Sequence, residues 1–441
     1  MKVRKLTLQK DTITAVMLAL FLGSSGLKWI PLLSIGPIRV EIHNALALAL
    51  IAYLGYQLAT RRRYVIPTFF WCVAALTIWL SAGLAIHGTI NLSPIILTLP
   101  VALASLVLCN FTPAVLDRLV LIALLAQTII VIGFIGSAYV GGIDLWGGIQ
   151  TYFLSQNRLG FLLGTVRPIL NAFSTGPQAG LPEYDSWLLN HLSATFFITF
   201  CLAVAARPTT FLQRAGLGCS AFISLFFLIV LFSSSTVLAL ILALVAPIVR
   251  GLISPMSRLS FWGILAALLL ALALLAPPLF QYFLLNLESD IGSASTRLDQ
   301  YTGALEGIFE NPLFGVGLRT FQDHTVHNLF LASFMMTGIV GGVLAATLFV
   351  IAIGICAEGM RGLLRRSPRP DLCLLMAMLP LIFITRSGLA GGFGLPSNAE
   401  LFAVATAYLA RRHHRQIRSA QQMQEIQPLQ FNATKRAGHA T

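Results

Sequence analysis

The chain has 441 residues, of which 57% are hydrophobic and 10% charged, with a mean hydropathy of +0.83. Soluble domains carry about 25% charged residues, so the class that remains is a polytopic membrane protein. The net charge of +13 does not mark a nucleic-acid binder: 22 of the 29 Lys and Arg fall in one alternate set of loops and seven in the other. That asymmetry is the positive-inside pattern, and it places both termini in the cytoplasm and residues 26–43, 140–188 and 281–326 outside.

A spanning helix needs roughly 20 apolar residues. By that criterion the chain holds about twelve, at 13–25, 44–59, 65–86, 92–109, 116–139, 189–206, 215–234, 235–249, 260–280, 327–355, 372–390 and 398–410. The expected fold is an all-α polytopic membrane protein with two long outer loops, the second containing an amphipathic helix. It divides into N-terminal helices over 1–139, a first outer loop over 140–188, central helices over 189–280, a second outer loop over 281–326, C-terminal helices over 327–410 and a tail over 411–441. The first apolar run has no small-residue cleavage site after it and reads as a retained helix.

In the N-terminal part, Arg61, Arg62 and Arg63 mark a cytoplasmic helix end, and Arg39, Glu41 and His43 sit close together on the outer side, where an interfacial ion pair suffices to explain them. The first long loop is punctuated by Gly, Pro, Asn and Ser yet stays apolar through Trp146, Tyr152, Phe153 and Phe161, which suits the membrane interface. Its cations, Arg158 and Arg167, fit either an anionic headgroup or a substrate. Ser233, Ser234, Ser235 and Thr236 join two apolar runs, where hydroxyls cap helix ends. The six cysteines lie in or beside apolar segments with no CxxC or Cys/His spacing, so neither a disulfide frame nor a zinc site is expected.

The second outer loop carries most of the outward chemistry. Apolar residues at Leu298, Tyr301, Leu305 and Ile308 have helical spacing over 296–310, with Arg297 beside the helix N-terminus, where a cation is disfavoured unless an anion is near. The helix should stop at Asn311-Pro312. Gly315, Gly317, Arg319, His324, His327 and Asn328 follow, and the next apolar run holds Gly338, Gly341 and Gly342, a small-residue face suited to close helix packing. Arg386 opens a Gly-rich outer turn. The tail from Arg411 is basic, then Gln-rich, and is expected to be disordered. Arg forks suit phosphate oxygens and His handles protons near neutral pH. No Walker loop and no metal-ligand cluster accompanies them, so neither metal nor cofactor is expected. Each group also has a plainer reading: Arg297 paired with Asp290 or a lipid phosphate, His327 capping a helix.

The stretch NPLFGVGLRTF followed by HNLFLASFMMTGIVGG resembles the signature of the O-antigen ligase and polymerase superfamily of bacterial membrane glycosyltransferases. In that family an Arg precedes an amphipathic helix, an Asn-Pro-Leu-x-Gly-x-Gly motif follows, and a His-Asn pair opens a membrane helix carrying Gly-x-x-Gly. The matching positions are Arg297, then Asn311, Pro312, Leu313, Gly315 and Gly317, then His327 and Asn328, then Gly338 and Gly341. The resemblance implies a bacterial inner-membrane enzyme with no metal. It would move a glycan from an undecaprenyl-diphosphate donor to a sugar hydroxyl, on lipid A-core (ligase) or on another lipid-linked repeat (polymerase), among membrane lipids and other polysaccharide-assembly proteins. It also implies Arg297 and His327 as catalytic residues; beside them Arg319, His324, Asn328, Arg167 and Arg386 are expected to bind substrate. Two departures stand out. The family's Ser-Arg pair is replaced by Ser233 to Thr236, for which Arg167 or Arg386 would have to substitute, and the usual Trp after the family Arg is Tyr301. A transporter or flippase of a lipid-linked or anionic substrate is the competing class. Its mark would be ionisable residues deep in the spans.

Overall fold

In the computed structural model, the described residues are 31–35, 38–60, 67–87, 142–154, 182–207, 210–231, 234–253, 298–317, 326, 328–389 and 398–437, with isolated positions within 12–22 and 127–139. They are helical apart from one antiparallel hairpin, β1 (Pro31–Ile35) with β2 (Ile38–Glu41), in which Ser34 pairs with Arg39 and a bulge falls between Pro31 and Leu33. The helices are α1 (Ile42–Ala59), α2 (Thr68–Ile86), α3 (Leu145–Leu154), α4 (Pro182–Ala205), α5 (Phe211–Leu231), α6 (Ser234–Ile253), α7 (298–310), α8 (Leu329–Leu364), α9 (Pro370–Leu389) and α10 (Asn398–Ala437).

Among the described residues, four segments are long and apolar enough to cross a membrane: Phe211–Leu228, Ser235–Ile253, Leu329–Leu364 and Pro370–Leu389. Shorter apolar helices cover Ala45–Tyr56, Thr68–Gly83 and Leu192–Ala205. The expected spans at 92–109 and 260–280, and nearly all of 116–139, lie outside the described residues.

α9 is the centre of the bundle. Of its spanning window 78% is buried, against a third or less for the other three, and it packs on α4, α6, α8 and α10. Pro370 occupies its first turn, where a missing N–H costs nothing, and Asp371 follows at the positive end of the helix dipole. Lipid gives no hydrophobic drive between helices, so close contact must come from shape. It does so where Gly359 of α8 crosses α9: a Cβ there would lie 2.6 Å from the Ala377 nitrogen. Beside that crossing the Cys356 thiol donates to the Ala377 carbonyl at 3.2 Å.

A polar seam ties α4 to α5. Gln127 donates to the Ser220 carbonyl at 3.0 Å and to Ser224 Oγ at 2.6 Å, accepts from Ser220 Oγ, and Ser224 meets Thr199 Oγ1 at 3.0 Å. The seam satisfies its own members, as buried polar groups in a membrane require.

Three local expectations meet the structure. α5 ends and α6 begins around Ser233, as the hydroxyl run implied. The segment expected as the first outer loop contains a helix, α3, with Asp144 Oδ1 accepting from the Gly147 amide at 2.8 Å and Trp146 exposed. The tail expected to be disordered is instead helix from α10 through Ala437. Its Ala, Gln, Arg, Glu and Met are strong helix formers, so a polar composition that disfavours a packed core still propagates a helix already begun in the bundle.

Candidate functional site

α7 ends at residue 310, two residues before Pro312 removes a backbone donor. Asn311 turns the chain: its Oδ1 accepts from the Phe314 amide at 3.3 Å and its carbonyl from the Gly315 amide at 2.9 Å. Of the expected apolar stripe, Tyr301 and Ile308 face inward, while Leu298 and Leu305 are 66% and 45% exposed and Phe309 joins them at 81%. The buried face carries Gln300, Ala304 and Ile308 and packs on Val326, Met335 and Met336. Gln300 Oε1 is fully enclosed with no hydrogen-bond donor among the described residues.

α8 is 36 residues long, about 54 Å at 1.5 Å per residue, well over the roughly 30 Å of a hydrocarbon core. It is broken at Thr337 (φ −136°, ψ 15°) and Gly338 (φ 73°, ψ −164°). In a continuous helix the Met335 and Met336 carbonyls would accept from residues 339 and 340. Here the loop takes over. The Val316 amide donates to the Met335 carbonyl at 2.8 Å, the Gly317 amide to the Met336 carbonyl at 3.3 Å, and the Ile339 amide donates to the Pro312 carbonyl at 2.9 Å. An unsatisfied backbone group in hydrocarbon costs several kcal/mol, so the Pro312–Gly317 loop is what makes the break tolerable.

Two glycines permit this clip. Gly338 has a positive φ that L side chains avoid, and a Cβ on it would strike the Leu313 carbonyl; on Gly315 (φ 74°) a Cβ would lie 2.5 Å from the backbone at Met335 to Thr337. The Gly-x-x-Gly face, read from sequence as an interhelical contact, works within one helix: a Cβ on Gly341 would meet Thr337 Oγ1 and the Ser333 carbonyl, on the far side of the break.

α2 supplies the third wall. Trp79, Gly83 and His87 follow one another at four-residue intervals and so share a helical face. Trp79 Nε1 donates to the Thr337 carbonyl at 3.0 Å, Gly83 lies against the Thr337 methyl, and the His87 ring covers Gly317, whose Cβ would sit 2.7 Å from His87 Cγ.

The start of α8 is pinned elsewhere. Asn328 is its N-cap: Oδ1 accepts from the Leu331 amide at 3.0 Å, while Nδ2 donates to the Gly388 carbonyl at the end of α9, also at 3.0 Å. Two residues earlier in α9, Arg386 Nε lies 3.0 Å from Glu400 Oε1, and Ser387 Oγ donates to Glu400 Oε2 at 2.9 Å. Arg386 is 4% and Glu400 2% exposed. The first half of α8 therefore bridges from the end of α9 to the end of α2.

At the opposite end of the bundle the cations collect. Arg207 and Arg369 both pair with Asp371 at 2.8 Å, and Arg411 and Arg415 pair with Glu358 at 2.7 and 2.6 Å. Residues assigned to one side by charge alternation thus share one end of the fold. His413 and His414 are buried there, His414 Nε2 sharing a 3.0 Å hydrogen bond with Ser367 Oγ, and burial lowers the pKa of both.

Among the expected site residues, Asn311, Pro312, Gly315, Gly317, Gly338 and Gly341 form the clip, while Asn328 caps α8 and bonds to the Gly388 carbonyl, and Arg386, two residues before Gly388, faces Glu400. Arg297, Arg319, His324, His327, Arg158 and Arg167 lie outside the described residues. Sequence reasoning passed over Trp79, His87, Gln300 and Glu400. The four-residue spacing of Trp79, Gly83 and His87 is the signal that would have found the first two. No protein-family model matches the chain, and no curated protein matches it.

Proposed function

We propose that the protein is a membrane glycosyltransferase of the O-antigen ligase or polymerase kind, moving a glycan from undecaprenyl diphosphate to a sugar hydroxyl at the outer face of a bacterial inner membrane. The observation that carries this is the clip. The loop that resembles the family's Asn-Pro-Leu-x-Gly-x-Gly motif is bonded into the break of the helix opened by the resembling His327-Asn328 pair. A motif whose two halves are joined by backbone bonds is a rigid platform, and a catalytic constellation needs its groups held on rigid elements.

In this reading Arg297 contacts the donor diphosphate with its planar fork. The acceptor hydroxyl oxygen bonds to the anomeric carbon, the bond from that carbon to the phosphate oxygen breaks, and the electron pair leaves with undecaprenyl diphosphate. His327 takes the hydroxyl proton and returns it to solvent. Arg319, His324 and Arg167 hold phosphate or sugar oxygens. Asn328 and Arg386, already engaged with Gly388 and Glu400, fix the frame beside them. The basic end of the bundle is the cytoplasmic one, with both termini, and residues 281–326 face outward.

The test is transfer by purified protein in liposomes containing lipid-linked oligosaccharide extracted from producing cells, in excess EDTA. Undiminished glycan transfer with release of undecaprenyl diphosphate supports the reading. Loss of activity restored by magnesium or manganese contradicts it.

One observation favours the competing class: transporters place substrates at discontinuous helices, and α8 is discontinuous. In α8, however, the Met335, Met336 and Thr337 carbonyls at the break already accept from the Val316 and Gly317 amides and Trp79 Nε1, which ties them to the fold. Movement of the lipid-linked oligosaccharide between leaflets without bond cleavage would establish transport.

A further inference from the structure

We infer that His87 is an acceptor-binding residue of the proposed transfer site, holding a hydroxyl of the incoming sugar against the Pro312–Gly317 loop. The inference rests on the glycosyltransferase reading above. His87 caps the C-terminus of α2, its own amide donating to the Gly83 carbonyl at 3.2 Å. Its ring lies so close over Gly317 that no other residue type could occupy that loop position without displacing it. The placement is fixed from below. Trp79, two turns earlier on the same face, is bonded to the Thr337 carbonyl inside the helix break, and Gly83 lies against Thr337 between them.

A histidine held this tightly by its backbone and by the face it covers is nevertheless exposed, and among the described residues its ring nitrogens take no hydrogen-bond or ion-pair partner. Among the described residues Trp79, the other polar member of the stripe, has a partner and His87 has none. An imidazole offers one donor and one acceptor; a sugar hydroxyl, which both donates and accepts, can engage both nitrogens, whereas diphosphate oxygens, which only accept, would use the N–H alone. Two turns of α2 thus appear as one device: Trp79 closes the helix break and His87 presents a polar edge over the loop that fills it.

The experiment separates packing from hydrogen bonding. His87→Phe keeps a ring over Gly317 and removes both nitrogens; His87→Gln restores a donor and an acceptor. Transfer and hydrolysis of the same extracted lipid-linked oligosaccharide would be followed in liposomes, with lipid A-core or a second lipid-linked repeat as the acceptor probe and water as the alternative acceptor. The expected result for His87→Phe is a fall of about 10-fold or more in kcat/KM for the acceptor, the order lost with one or two hydrogen bonds. Donor hydrolysis and thermal unfolding should be unchanged, with partial recovery in His87→Gln. Equal acceptor kcat/KM in wild type and His87→Phe would overturn the inference while leaving the transfer reading intact. So would a parallel fall in transfer, hydrolysis and melting temperature, which would make His87 a packing residue. A wild-type protein that neither transfers nor hydrolyses would sink the transfer reading itself, and the role of His87 with it.

Discussion

The Ile339 amide donates to the Pro312 carbonyl across the break in α8, and a Cβ on the intervening Gly338 would strike the adjoining Leu313 carbonyl. This pairing of a loop with the inside of a membrane helix ties the two halves of the motif together. Gly338→Ala should therefore destabilise in two ways. The Gly338 backbone (φ 73°, ψ −164°) lies in a region essentially reserved for glycine, which costs an L-residue on the order of 1–3 kcal/mol, and the clash must be relieved by undocking the loop, which exposes carbonyls worth several kcal/mol in lipid. A loss of about 3 kcal/mol or more is expected in detergent unfolding. Gly354→Ala, in the same helix with open space around it, is the control and should be neutral or slightly stabilising, because Ala is the better helix former by about 1 kcal/mol.

The Arg386–Glu400 pair predicts strong non-additivity. Removing one partner of a buried ion pair typically costs about 3–5 kcal/mol because the other charge is left uncompensated. Arg386→Met and Glu400→Gln should each destabilise by that order, and the double variant by clearly less than their sum. A double-mutant cycle on unfolding midpoints checks this; additive losses would mean that the two residues act independently.

His413 and His414 give the fold a pH dependence at its basic end. Burial lowers the pKa of both, and neighbouring cations act in the same direction: Arg412 and Arg369 on His413, Arg418 and Arg415 on His414, with the Gln416 hydrogen bond opposing on the former and Glu358 on the latter. A histidine whose pKa is lower in the fold stays neutral while the unfolded chain takes up a proton. Stability is therefore complete above about pH 6.5, the unfolded value, and declines as pH falls below it toward the folded value. Melting temperature should drop between pH 7 and 5, and the drop should shrink in the His413→Gln, His414→Gln double variant. A slope identical to wild type would assign the dependence to carboxylates.

Charge alternation predicts sidedness that labelling can read. In a background with the six native cysteines replaced, Gln322→Cys should react with an impermeant maleimide in intact spheroplasts, and Ser367→Cys, at the basic end, should not. The reverse order would invert the proposed topology.

Local signals carried much of this fold. Pro312 stops α7 because proline lacks a donor, and the Ser233–Thr236 run divides α5 from α6 because hydroxyls suit helix ends. What sequence hid was long-range. Gly338 and Gly341 have the spacing of an interhelical face, and nothing local distinguishes that from a helix folded past its own break. The partners of the break, Trp79 and the Pro312–Gly317 loop, are set by tertiary docking. Arg386 read as a substrate-binding cation of an outer turn because its partner Glu400 lies beyond the Gly-rich turn, on the next helix. The tail failed as a reading because low hydrophobicity argues against a core, not against extension of α10.

The most direct measurement is glycan transfer in liposomes by Arg297→Lys and His327→Ala, each verified for expression and insertion. Lysine keeps the charge and loses the bidentate fork, so Arg297→Lys should still fall strongly. His327→Ala should lose about 100- to 10,000-fold in turnover, the range for a general base, while retaining donor binding. If both variants insert normally and both transfer at near the wild-type rate, the motif is a structural clip only, and the catalytic assignment of Arg297 and His327 is wrong.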